Sequence, residues 1–102
     1  MTAHLLVMYP VPADKDAFDR AYREEHLPYA GPRLEGATGV VTRKVIGPAG
    51  APETFHLISD VSFPSVETMK ACAQSQGGRE AIAHAASISS GGPPTLVAVV
   101  DG

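Results

Sequence analysis

The nine residues from Phe55 to Phe63 constrain the fold more than any other stretch of the chain. Strict alternation puts Phe55, Leu57, Ser59, Val61 and Phe63 on one side of a strand and His56, Ile58, Asp60 and Ser62 on the other, so both sides carry apolar character. A sheet that is apolar on both faces needs two covers. Three further β-rich stretches can join this strand. Ala3 to Tyr9 is closed by Pro10-Val11-Pro12, Ala37 to Ile46 is rich in Val and Thr, and Thr95 to Val100 follows the loop Ser89-Ser90-Gly91-Gly92-Pro93-Pro94. Gly47-Pro48-Ala49-Gly50-Ala51-Pro52 reads as a turn between the second and third of these strands.

Two helical stretches cover one face. Asp14 offers an N-cap with Asp16 in the first turn, and Phe18, Ala21, Tyr22 and Glu25 fall on one helical side. The spacing predicts that this helix stops near Pro28, since proline disfavours helical geometry in the residue before it and lacks a backbone N–H. Pro28 to Gly36 is then a connection, with Arg33 and Glu35 in solvent. Ser65 caps a second helix whose inward stripe is Val66, Met69, Cys72 and Ala73, and Gly77-Gly78 ends or bends it before a short helix from Arg79 to Ala86. The order β-α-β-β-α-β predicts an α+β, ferredoxin-like domain over residues 1–102, with four antiparallel strands and helices on one face. The bare face is most simply covered by the same face of a second copy, which predicts a homodimer.

A chain of 102 residues leaves no room for a second domain. With 44% hydrophobic and 19% charged residues it reads as globular. A net charge of -3, with eight Lys and Arg scattered rather than clustered, argues against nucleic acid. The apolar run before Tyr9 is too short to span a bilayer and lacks a basic flank and a cleavage site, so it reads as a first strand of a cytoplasmic protein with no membrane partner. One cysteine, Cys72, cannot form an internal disulfide.

Tyr22-Arg23-Glu24-Glu25-His26-Leu27-Pro28 carries the best candidate chemistry. Tyr22 and His26 stand four apart and project from one side of a helix. An imidazole exchanges protons near neutrality, and a phenol can orient it or donate to a developing oxyanion. A histidine at a helix C-terminus also suits the dipole for purely structural reasons.

The motif Tyr-x-x-x-His-x-Pro, following a short strand that ends in Tyr9-Pro10, resembles the EthD family of small dimeric α/β-barrel proteins, named for ethyl tert-butyl ether degradation. Length, element order and the Gly-Gly stretch before the last strand fit along nearly the whole chain. The resemblance implies two sheets facing each other as a barrel with helices outside, and it strengthens the functional reading of His26. The sequence departs from the family pattern at His84, Ser87 and Ile88, where an acidic residue and then an aromatic are usual, so no site role carries over there.

A pocket between sheet and helices, at the end where the first helix stops, would be walled by Tyr9, Phe18, Tyr22 and Met69, with His26, His56 and Asp60 as polar contributors. Periodicity leaves open which side of Phe55 to Phe63 meets the helices, so His56 and Asp60 line either this pocket or the dimer barrel. The chain has no Gly-rich nucleotide loop and no metal-ligand cluster. The expectation is an enzyme without metal or organic cofactor that moves a proton on a small cyclic or polyketide-like carbonyl compound, by isomerisation, cyclisation, dehydration or decarboxylation. The substrate class is what the resemblance implies, through lactone isomerases and polyketide-tailoring enzymes. His26 would be the general acid/base and Tyr22 its partner. The alternative is a non-catalytic accessory protein that binds an apolar metabolite, and nothing marks His56 or His84 as a haem ligand.

Overall fold

A computed structural model describes residues 1–47 and 54–102. The chain runs β1 (Ala3–Pro10), α1 (Lys15–Ala21), a wide π-helical turn (Tyr22–His26), α2 (Leu27–Ala30), a 3₁₀ turn (Gly31–Arg33), β2 (Gly39–Lys44), β3 (Phe55–Phe63), α3 (Val66–Gln74), α4 (Gln76–Ile88) and β4 (Thr95–Val100). Beyond Gly47, the turn expected up to Pro52 lies outside the described residues. The strands form one four-stranded antiparallel sheet in the order β2-β3-β1-β4. This is the ferredoxin-like α+β arrangement. The single chain's sheet is open rather than closed into a barrel, because β2 and β4 are edges.

Register settles which strand face meets the helices. Ala3 pairs with Phe63, Leu5 with Val61, Val7 with Ser59 and Tyr9 with Leu57. All of these except the half-buried Leu5 are buried, and their side packs under the helices. One core cluster joins Val7, Tyr9 and Leu57 to Phe18, Tyr22 and Ala85. A second joins Ala3, Val61 and Phe63 to Met69 and Cys72. The opposite side carries Val41, Val97 and Val99, which are 46%, 37% and 39% exposed.

Three local features depart from the sequence reading. The first helical stretch does not stop at Pro28. Leu27 N–H donates to Tyr22 O, five residues back, and Pro28 enters as an early residue of α2. A proline inside a helix removes a donor and crowds the carbonyl behind it, and a widened turn just before it relieves both demands. A register shift at Tyr9/Pro10 interrupts the pairing opposite His56, so His56 leaves the alternation and turns toward α1. Gly77-Gly78 lies in the first turn of α4, which starts at Gln76 with Ser75 Oγ accepting from Gly78 N–H. A Cβ on Gly78 would stand 1.8 Å from the Cys72 carbonyl oxygen, so the glycine is required by close approach of α3 and α4, not by a helix end.

Candidate functional site

The candidate site begins with the start of α1. Asp14 Oδ1 accepts from Ala17 N–H at 3.0 Å and fixes where the helix begins. Seven residues of α1 then deliver the wide turn over the middle of the sheet, with Tyr22 3% and His26 6% exposed. Their rings lie 5.8 Å apart, on one side of the turn.

His26 faces a hollow of about 190 Å³ between sheet and helices. Leu5, Val7 and Val61 line it from the sheet, Leu27, Ala30 and Leu34 from the segment after the turn, and Ala81 and Ile82 from α4. His26 and Ser59 are the two polar side chains in this wall. The His26 Nδ1 lies 3.0 Å from Nδ1 of His84, and the two rings are near parallel at 5.2 Å. Two ring nitrogens this close share one proton, so one donates and the other accepts. Burial, and then the His84 charge, push the pKa of His26 down to about 4. His84 is itself braced: Tyr29 stacks on its ring at 4.5 Å, and the Arg33 guanidinium lies 3.6 Å over the Tyr29 ring. Arg33 also donates to Tyr29 O at 2.8 Å and lies 3.7 Å from Glu80, so it is less solvated than the sequence suggests.

The Tyr22 hydroxyl does not reach for His26. It donates to Ser59 Oγ at 3.1 Å and lies 2.9 Å from Thr42 Oγ1. Tyr9 and Phe18 pack behind the Tyr22 ring, at 5.8 and 6.3 Å, and support the site without lining the hollow. The Tyr9 hydroxyl is buried without a partner among the described residues, and burial raises its pKa, with Tyr22 adding to the effect.

The remaining expected pocket residues are elsewhere. Met69 packs with Cys72 and Phe63 in the second core cluster. His56 Nε2 is 2.7 Å from Asp19 Oδ1, and Lys44 Nζ is 2.6 Å from Asp19 Oδ2. Burial alone would raise the Asp19 pKa, but the hydrogen bonds from Lys44 and His56 outweigh it and lower it. Asp60 is on the open sheet face, where His4 Nδ1 approaches it at 2.8 Å and Arg43 Nη2 at 3.2 Å. His4 Nε2 is 3.0 Å from Asp101. Both His4 nitrogens thus meet carboxylates, which only accept, and the hydrogen bond to Asp60 leads in raising its pKa. Among the described residues no group of three or more His, Cys, Asp and Glu side chains is placed to hold a metal ion.

Sequence reasoning missed His84 as the partner of His26 and Ser59 as the second polar wall residue. For His84 a signal existed, since it stands three after Ala81 on the buried stripe of α4. Ser59 gave none, because a serine among apolar strand residues reads as filler.

A structure of an ethyl tert-butyl ether degradation (EthD) family protein from Bacillus halodurans superposes over 100% of both chains at a TM-score of 0.84 and 22% identity. The chain shares the fold of this EthD family protein. A dimeric ferredoxin-like protein of unknown function from Jannaschia matches 99% of this chain and 100% of its own, at a TM-score of 0.70 and 18% identity. The hydroxynitrile lyase of Passiflora edulis matches 99% of this chain and 93% of its own, at a TM-score of 0.69 and 12% identity. No family model matches the sequence, and no curated protein matches it.

Proposed function

We propose that this EthD-fold protein is a cofactor-independent enzyme that moves a proton on a small, uncharged carbonyl compound held in the hollow, with His26 as the acid/base and His84 as its proton partner. The observation that carries this reading is the 3.0 Å contact between the two Nδ1 atoms at the edge of an apolar cavity. His26 Nε2 has no hydrogen-bond partner among the described residues, which leaves it for a ligand.

The proton bookkeeping closes within the pair. With His26 Nδ1–H donating to His84, the His26 Nε2 lone pair takes a proton from the carbon next to the carbonyl, and the C–H electron pair passes into an enolate. Charge on buried His26 is disfavoured, so its Nδ1 proton crosses to Nδ1 of His84, which is more exposed. Return of the proton from Nε2 to a different substrate atom, as His84 gives its proton back to Nδ1 of His26, completes an isomerisation and restores both neutral rings. A cyclisation or a dehydration would use the same first step. A hollow of about 190 Å³ is smaller than the roughly 300–1,000 Å³ of drug-sized sites, which favours a small ring or short chain. That one protein of this fold is a lyase supports an enzymatic use of the scaffold.

A homodimer is part of the proposal. The exposed valines of the open sheet face and the dimeric Jannaschia protein of the same fold support it. A cytoplasmic location agrees with the single, free and buried Cys72.

The rival reading, an accessory protein holding an apolar metabolite, is favoured by the almost wholly apolar wall. Exchange of α-hydrogens of small cyclic ketones in D₂O, followed by NMR, separates the two. The enzyme reading predicts catalysed exchange by the wild type and a loss of about 10²- to 10⁴-fold in His26→Ala. Binding of ketones without catalysed exchange assigns the protein to the accessory class.

A further inference from the structure

We infer that Ser59 is the hydrogen-bond donor of the hollow and receives the oxygen of a neutral carbonyl ligand. The inference rests on the proposed reading for its ligand class, and it starts from a count of hydroxyl hydrogens. Tyr22 has one, and it is spent on Ser59 Oγ at 3.1 Å. The 2.9 Å contact between Thr42 Oγ1 and the Tyr22 oxygen must therefore be donated by Thr42. The chain runs Thr42 to Tyr22 to Ser59, and its last hydrogen, on Ser59, has no acceptor among the described residues.

Ser59 is 4% exposed and contributes to the wall of the same hollow as His26. A buried donor without an acceptor costs free energy, so the hollow is a place where an acceptor would be gained. Each hydroxyl that accepts a hydrogen bond becomes a better donor, and the two upstream hydroxyls strengthen the donor at the end of the chain. Thr42 sits on the exposed edge strand β2, where water can serve it in turn.

The wall contains no Lys, Arg, Asp or Glu, so an ionised ligand would lose its hydration without a counter-charge. The ligand class is thus a neutral, mostly apolar molecule with one acceptor oxygen. This arrangement also gives Tyr22 its work: it reaches the ligand through Ser59 rather than directly.

Cyclohexanone and methylenecyclohexane have nearly the same shape and differ in the acceptor, so their affinities read the hydrogen bond. The expected result, by NMR titration, is that the wild type prefers the ketone by about 2- to 10-fold, the range of one net hydrogen bond. Ser59→Ala should remove that preference while keeping hydrocarbon binding, since the change is small and Tyr22 retains Thr42. An undiminished ketone preference in Ser59→Ala, or no preference in the wild type, overturns the assignment. Catalysed α-hydrogen exchange is measured separately: its loss in wild type would end the enzyme reading while leaving the Ser59 assignment to stand on the affinity ratio.

Discussion

His26 is the residue on which burial and chemistry pull against each other. Its folded pKa near 4 lies below the ordinary histidine value of 6.5. The unfolded chain therefore binds a proton at a higher pH than the native one, so stability is complete above pH 6.5 and is lost as pH falls from 6.5 towards 4. His26→Leu should lack this component, and urea unfolding of both proteins at pH 7 and pH 4.5 measures it: the wild type should lose more stability between them. His4 acts in the opposite sense. Its raised pKa gives stability that is present below pH 6.5 and lost as pH rises through the raised value. His84→Asn removes the proton partner but keeps a polar side chain, so catalysed exchange should fall, by less than in His26→Ala. Equal exchange rates in His84→Asn and wild type would show that the pair does not work as a relay. The pair was only half legible in the sequence. Tyr22 and His26 share a helical period, but His26 and His84 are 58 residues apart, and only the packing of α4 against the wide turn brings them together.

At the level of elements, periodicity gave the four strands and both helical regions, because each has a continuous apolar pattern and a proline, glycine or cap at its ends. Three details escaped it, each set by tertiary contact. The wide turn before Pro28 lets the chain stay packed against α4 on both sides of the proline. The bulge beside His56 is a property of the β1 and β3 pairing, not of either strand alone. Gly78 was read as a stop because its reason for being glycine is a carbonyl on a different helix. Gly78→Ala should cost about 1–3 kcal/mol, the usual range for overpacking against a part that cannot yield. Asp14→Ala should cost about 1 kcal/mol through loss of the α1 cap. Chemical denaturation reads both, and a neutral Gly78→Ala would mean that α3 and α4 separate more easily than their contact implies.

For the whole molecule, the division of labour follows from the sheet. One face, under the helices, holds the core and the hollow. The other presents Val41, Val97 and Val99 around the hydrogen-bonded group of His4, Asp60, Arg43 and Asp101. That Asp60 lies there rather than in the pocket could not be read from alternation, which fixes that residues share a side but not which side is covered. If a second copy covers this face, the melting temperature should rise with protein concentration, and Val97→Asp should give a smaller species by light scattering and a lower, concentration-independent melting temperature. A wild type that is monomeric at high concentration would remove the dimer from the account. Among the described residues no helix is long and apolar enough to cross a membrane.

The central claim is that an imidazole kept neutral by burial shares its Nδ1 proton with a second imidazole and offers Nε2 to the hollow. Long-range ¹H–¹⁵N NMR of the histidine rings, from pH 7 down to pH 4, tests this most directly. The account predicts that His26 stays neutral until near pH 4, with Nδ1 in a hydrogen bond that disappears in His84→Ala. A His26 ring that titrates near pH 6.5, indifferent to His84, would contradict it.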